Sequence, residues 1–154
     1  MAVIGFRAST QEIRYAILSK SDNRVVFLNK NEENLIRFPI AITNIEEKLY
    51  WAKSEIDRIL RISYDIEKIY LKTNEFNGTD NSSKRETTYI DALILLSAKE
   101  RNIPIEKKLY NQLGASSNKV KEFSERLVGK TDKYWNNTIA DAILVAYRGL
   151  ENDF

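Results

Sequence analysis

Residues Ala2–Phe6 read AVIGF, with no polar side chain at any position. A strand without a polar face belongs inside a sheet covered on both sides, so the rest of the chain has to supply a layer for each face. The next segments supply more sheet. Glu12–Leu18 alternates, with Ile13, Tyr15 and Ile17 on one face and Arg14 on the other. Ser19–Asn23 is turn chemistry, and Val25–Leu28 returns to apolar, β-branched residues, which predicts a three-strand antiparallel meander. Asn29–Asn34 is polar, and Pro39 weakens any strand within Leu35–Ile42.

The period then changes. Ile45, Leu49, Ala52, Ile56 and Ile59 recur at helical spacing and form one apolar stripe. Thr43 and Glu46 have the spacing of a capping box for that helix. Lys68–Leu71 predicts a fourth strand and Ile103–Tyr110 contains a fifth, after Pro104. Between them, Asn74–Thr88 reads as a long polar loop and Tyr89–Ala98 as a helix buried all round. Ser116–Val128 is amphipathic, and Thr138–Leu150 is a last, mostly apolar helix. The expectation is one α/β domain over residues 1–154, without repeats or linkers.

Composition excludes several chemistries. The chain has 154 residues with neither Cys nor His. Disulfides, thiolate metal sites and thiol nucleophiles are absent, and so is any imidazole base. Catalysis would have to use carboxylates, Lys, Tyr or an oxygen-ligated metal. No apolar run is long enough to span a membrane. The N-terminus lacks the charged start and apolar stretch of a signal peptide, so a cytoplasmic setting is expected.

Four stretches carry a resemblance. Val3-Ile4-Gly5-Phe6-Arg7-Ala8-Ser9 is an apolar strand followed by small residues, and Ile69-Tyr70-Leu71-Lys72 ends the fourth strand. Leu113–Lys121 is a small-residue turn opening a Lys-bearing helix, and Thr138-Ile139-Ala140-Asp141-Ala142-Ile143 opens the last helix. In this order they resemble the RNase H-like fold, and more closely the RuvC-type Holliday junction resolvases. The resemblance implies a mixed sheet of about five strands in the order βββαβαβαα, with helices on both faces. In that family, acids from the first strand, the fourth strand and the last helix hold two Mg²⁺ ions ~3.5–4 Å apart, which activate water against a phosphodiester.

Carried onto this chain, the positions keep their places but lose their charge. Arg7 stands at the first-strand Asp, Lys72 at the fourth-strand Glu and Thr138 at the first helix Asp, while Asp141 alone stays acidic. Asp141 is also spaced to form a capping box with Thr138. The resemblance therefore implies a relic site of Arg7, Lys72, Thr138 and Asp141, with no metal or other cofactor and no catalytic residue. The expected function is a catalytically inactive RNase H/RuvC-like domain that binds DNA, RNA or a protein partner. One alternative is a metal-dependent nuclease using Mg²⁺ or Mn²⁺ on rearranged acids, drawn from Asp141, Glu75 and Asp91. Another is an interaction or homodimer module.

Nucleic-acid contacts have candidates of their own. Lys107–Lys133 holds seven cations against three acids, among them Lys119, Lys121, Lys130 and Lys133. Lys119 and Lys121 open a helix, where backbone N–H groups and ammonium groups together suit a phosphate. Tyr134 and Trp135 follow as aromatics that would stack on bases if exposed. In the polar loop, Phe76 with Lys84 and Arg85 forms a second candidate patch, because family members carry an aromatic near this place. The plain alternatives are a solvated charged face and a loop anchor.

Overall fold

The computed structural model describes residues 1–62 and 64–154. Its first half runs β1 (Ala2–Ala8), β2 (Glu12–Ser21), β3 (Arg24–Phe27), β4 (Leu35–Arg37) and α1 (Ile45–Leu60). Its second half runs β5 (Ile66–Lys72), α2 (Ser82–Glu100), β6 (Ile105–Lys108), α3 (Tyr110–Leu113), α4 (Val120–Leu127) and α5 (Asn137–Asp153). The strands form one mixed sheet in the order β3-β2-β1-β5-β6, with β4 also pairing with β2. The apolar β1 is therefore central, antiparallel to β2 and parallel to β5. No described helix is long and apolar enough to cross a membrane.

Alternate residues of the strands feed two cores. Ile4, Phe6, Ile13, Tyr15, Ile69 and Leu71 pack with Ile56 and Ile59 of α1 and Ile90 and Ile94 of α2. Val3, Ala16, Leu18 and Tyr70 pack on the opposite face with Ile139, Ile143 and Val145 of α5 and Val120 of α4. This second layer sits unusually close to the sheet. A Cβ on Gly5 would lie 2.0 Å from the Ala142 carbonyl, and one on Gly149 would lie 2.2 Å from the Tyr70 ring. Glycine at both contacts is a steric requirement of the helix–sheet packing.

Several sequence expectations need correction. The sheet has a sixth strand, β4, because Pro39 falls just outside it and leaves Leu35–Arg37 free to pair with Glu12–Arg14. Asn44, not Thr43, caps α1, accepting from the Glu47 N–H. The polar loop after β5 is shorter than its composition suggests. Asn81 accepts from the Lys84 N–H and starts α2 seven residues before Tyr89. That helix is not buried all round, since Tyr89 is 45% and Leu96 51% exposed. Helix α4 begins at Val120 rather than Ser116. Asn136 caps α5 through the Ile139 N–H, so Asp141 is released from the capping role and faces the sheet instead.

Candidate functional site at the strand ends

Pairing register brings together residues that are far apart in sequence. Arg14 of β2 lies opposite Arg7 of β1, Arg7 opposite Lys72 of β5, and Lys72 opposite Lys108 of β6. Four basic residues thus form one row across four strands, at the end of the sheet where β1, β5 and β6 terminate. Like charges at directly opposed positions repel. Arg14 and Lys72 are fully buried and Lys108 nearly so, which adds a desolvation cost.

Each cation is neutralised differently. Arg14 donates to the Asn34 carbonyl at 3.1 Å, the Asn34 Oδ1 at 3.0 Å and the Tyr134 carbonyl at 2.6 Å. Tyr134 adopts a left-handed backbone (φ 57°) in the connection that delivers this carbonyl. Arg7 Nε pairs with Asp141 Oδ2 at 3.1 Å, while its Nη1 donates to the Lys72 carbonyl at 3.3 Å. Lys72 Nζ donates to the Thr73 carbonyl and sits 3.8 Å from the centroid of the Tyr110 ring. Lys108 Nζ pairs with Glu106 at 2.8 Å. Tyr110 closes the crevice, because its hydroxyl donates to Asp141 at 2.8–2.9 Å. Its backbone N–H donates to Glu75 Oε1 at 3.0 Å.

Burial perturbs the titrating groups here. It lowers the Lys72 ammonium to about 8, with Arg7 adding to the effect and Asp141, Glu75 and Asp91 opposing it. Burial also lifts Asp141 above the usual carboxylate range, against the pull of Arg7 and the Tyr110 hydroxyl. Tyr110 is raised for the same reason, with Asp141 contributing. Asp91 on α2 is 6% exposed, and its Oδ1 is buried without a hydrogen-bond partner. Burial raises it to about 7, although Arg7 and Lys72 draw it down.

The remaining candidates from the sequence lie around this centre. Thr138 is half-buried in the first turn of α5, and Asp141 follows one turn later. Helix α4 packs on α5 through the Ser124 hydroxyl to the Ala140 carbonyl, and Asn137 donates to the Ser117 carbonyl. Lys119 and Lys121 are therefore exposed beside the start of α5. Lys119 reaches Glu122 at 3.6 Å and Lys130 reaches Glu125 at 3.6 Å, surface contacts that leave both heads available. Lys133 lines a cleft of about 390 Å³ with Lys30 and Tyr134. Tyr134 is exposed under the Arg37 guanidinium, whereas Trp135 is half-buried against the α5 core. Phe76 is 92% exposed. Lys84 donates to the Asn77 carbonyl and Arg85 pairs with Asp80, so these two cations hold the loop that carries Phe76.

Register and burial expose participants that sequence reasoning missed. Arg14 and Lys108 join the row only through strand pairing. Tyr110 gave no signal beyond its place after β6.

Comparison with solved structures places this geometry. No family model matches the sequence, and no curated protein matches it either. The chain superimposes on Thermus thermophilus RuvC in complex with a Holliday junction substrate with a TM-score of 0.79. The two are 13% identical, and the match covers 97% of this chain and 93% of that one. A yeast mitochondrial Holliday junction resolvase matches at 0.62 and 13% identity, over 95% and 76% of the two chains. A fowlpox virus resolvase matches at 0.60 and 13%, over 100% and 99%. The chain has the RuvC-type, RNase H-like fold.

The paired Mg²⁺ ions implied by that fold do not fit these residues. Lys72 and Arg7 project cationic heads at the strand ends, and Asp141 is already engaged by Arg7 and Tyr110. Among the described residues no group of three or more acidic side chains is placed to hold a metal ion. A divalent ion ~5 Å from one fixed cation is opposed by roughly 6–7 kcal/mol at an effective dielectric of ~20.

The unpartnered Asp91 yields a prediction. Its folded pKa of about 7 lies above the ordinary 3.8, so the folded state holds its proton more tightly. This carboxyl then costs no stability below pH 4, costs progressively more from pH 4 to 7, and costs most above 7. Asp91→Asn is expected to stabilise the fold at pH 8 by roughly 2–4 kcal/mol, and the gain is expected to vanish at about pH 4. Urea unfolding at the two pH values checks this, and an equal gain at both refutes it.

Proposed function

We propose that this chain is a resolvase-fold domain that binds nucleic acid through fixed cations and does not cleave it by a metal-dependent mechanism. The observation that carries the proposal is the Arg7–Asp141 ion pair beside the buried Lys72 ammonium, at the strand ends. Two acids of the resolvase pattern are replaced by bases there, and the remaining acid is used internally. Phosphate is the ligand suited to such a place. It is attracted by the same field that repels Mg²⁺, while direct contact falls to exposed lysines, since Arg14, Lys72 and Lys108 are buried and Arg7 is paired with Asp141. Lys119, Lys121, Lys130 and Lys133 extend the basic surface along α4 and the connection to α5. The resolvases of similar fold include two solved with Holliday junction DNA, which makes branched DNA the first substrate to try.

The same proposal includes a homodimer through α2. Tyr89, Ala92 and Leu96 form an exposed apolar stripe on this helix. A two-fold antiparallel pairing centred between Ala92 and Leu93 sets Tyr89 against Leu96. It also sets Arg85 against Glu100 and Glu86 against Lys99, so these four charges meet their opposites, while Lys84 and Arg101 oppose each other at the two ends.

Three experiments test these statements. Mg²⁺ or Mn²⁺ at millimolar concentration is expected to leave the Tm of the native protein unchanged, since only a ligand of the folded state raises it. Combining Arg7→Asp with Lys72→Glu is expected to create a Mn²⁺-dependent rise. A metal-dependent rise in the native protein that disappears in Asp141→Asn, together with cleavage of junction DNA, would instead establish a nuclease with rearranged acids. Junction DNA should be retained in EDTA, with an affinity that falls steeply with salt. Replacing Lys119 and Lys121 with Glu should weaken binding on every sequence and reduce the logarithmic salt slope by about two. Unchanged binding removes this surface from the interface. Light scattering should find a dimer that Leu96→Glu converts to a monomer, whereas a monomeric native protein at tens of micromolar refutes the α2 interface.

A further inference from the structure

Beside the β2 end of the basic row, a cleft of about 390 Å³ opens between the connection from β3 to β4 and the connection from α4 to α5. The buried Arg14 ties its walls together, since one guanidinium holds Asn34 of the first wall and the Tyr134 carbonyl of the second. Each wall is also braced on its own. Asn34 Nδ2 donates to the Lys30 and Glu32 carbonyls at 3.3 Å, and the buried Thr131 hydroxyl donates to the Lys133 carbonyl at 2.9 Å. We propose that this cleft binds one nucleotide unit, with its phosphate held by Lys30 and Lys133 and its base stacked on Tyr134. The site is separate from the Lys119–Lys121 surface and does not depend on that surface binding DNA.

Charge decides the sign of the ligand. Lys30 reaches from the first wall to the second, where its Nζ lies 3.7 Å from the place a Cβ on Gly129 would take. Among the described residues, neither Lys30 nor Lys133 has a carboxylate partner, and both line the cleft. Two of the three acids in the lining are already engaged. Glu32 accepts from the Tyr64 hydroxyl at 2.6 Å, and Glu33 accepts from the Tyr15 hydroxyl at 2.6 Å and from Arg58 at 2.9 Å. Asp132 is the one open carboxylate, and it is exposed to solvent, which screens it. Two uncommitted ammonium groups, with the Arg14 charge fixed behind them, suit a phosphate. Tyr134 adds what a bare anion site does not need. Its backbone φ of 57° is costly for a bulky residue, yet its ring is 58% exposed and belongs to neither core. Arg37 lies 5.2 Å over one face of the ring and is not part of the cleft lining, so the other face is the one turned to the cleft. A guanidinium behind the ring and a base in front of it complete a three-layer stack. Small-ligand sites span about 300–1,000 Å³, and a cleft near the lower end fits one nucleotide better than a longer segment.

Isothermal titration calorimetry with 5′-AMP, ribose 5-phosphate and adenosine tests the site. The native protein is expected to bind 5′-AMP about tenfold or more tightly than either fragment, because only the nucleotide engages both the lysines and the ring. Combining Lys30→Ala with Lys133→Ala should weaken 5′-AMP about tenfold or more and leave adenosine unchanged. Tyr134→Gly should bring 5′-AMP down to the affinity of ribose 5-phosphate without lowering Tm, since glycine adopts the left-handed backbone freely. Competition with a single-stranded oligothymidylate identifies the source of the nucleotide. Displacement of 5′-AMP assigns the cleft to a unit of a strand and retention assigns it to a free mononucleotide, and either result supports the proposal. Equal native affinities for 5′-AMP and ribose 5-phosphate, or 5′-AMP binding unchanged in Tyr134→Gly, remove the base contact and overturn it. Absence of 5′-AMP binding at millimolar concentration overturns it as well. Binding of 5′-AMP that survives the replacement of Lys119 and Lys121 with Glu supports an independent cleft, whereas its loss there overturns the assignment. If Tyr134→Gly fails to fold, the lysine variant and the native comparison decide.

Discussion

Four cations in one register across β2, β1, β5 and β6 have to be neutralised before α5 can cover that end of the sheet, and the details of the site follow from how this is done. The only carboxylate that α5 brings to the row is Asp141, and it goes to Arg7. Removing one partner of a buried ion pair costs roughly 3–5 kcal/mol, because the other charge is left uncompensated. The remaining positions use weaker means. Arg14 takes two backbone carbonyls and an amide oxygen, Lys108 takes Glu106 within its own strand, and Lys72 takes one carbonyl and an aromatic face. Lys72 is the least well compensated of the four, and its ammonium is accordingly depressed to about 8.

Tyr110 couples the two halves of this arrangement. Its ring faces Lys72 and its hydroxyl serves Asp141, so it binds to the cation of one strand and to the counterion of its neighbour. The position depends on packing farther along α5. The helix approaches β1 at Gly5 and β5 at Gly149 so closely that no side chain fits, and this contact sets the depth at which Asp141 meets Arg7. Placing an ordinary side chain at either glycine pushes the helix away and lengthens the ion pair. The small residues of α5 and the electrostatics of the strand ends are parts of one constraint.

Periodicity was enough to locate the central strand, the meander and the stripe of α1, because each is a local property of the chain. It misjudged α2, where Asn77-Gly78 and Asp80–Ser83 have turn composition while Asn81 actually caps a helix. It also treated that helix as wholly buried, since apolar residues on an outer face look the same in sequence as apolar residues in a core. Arg7, Lys72 and Asp141 were legible as a group only through the resemblance to resolvases. Arg14 and Lys108 were not legible at all, because register depends on pairing between strands and leaves no mark within one. Asp91 was legible as a candidate acid, but its burial without a donor was not. A lone Asp in an apolar helix is visible, but whether it finds a donor is decided by neighbours from β1 and β5.

Side-chain cations and metal ions equip a strand-end crevice for different tasks. A bound divalent ion neutralises the phosphodiester, lowers the pKa of a coordinated water and stabilises the leaving oxygen. Guanidinium and ammonium groups supply the first of these and part of the third, since both donate hydrogen bonds to phosphate oxygens. They do not coordinate water, so they generate no hydroxide near neutral pH. A protein with neither His nor Cys has few other bases to offer, and the acids nearest the row are committed. Asp141 is held by Arg7 and Tyr110, and Glu75 by the Tyr110 backbone. Asp91 lies in the wall of α2, where its Oδ1 is buried without a hydrogen-bond partner. What this constellation offers a phosphate is electrostatic: fixed positive charge at the strand ends, with Asp141 turned inward on Arg7 and Tyr110 and Glu75 on the Tyr110 backbone.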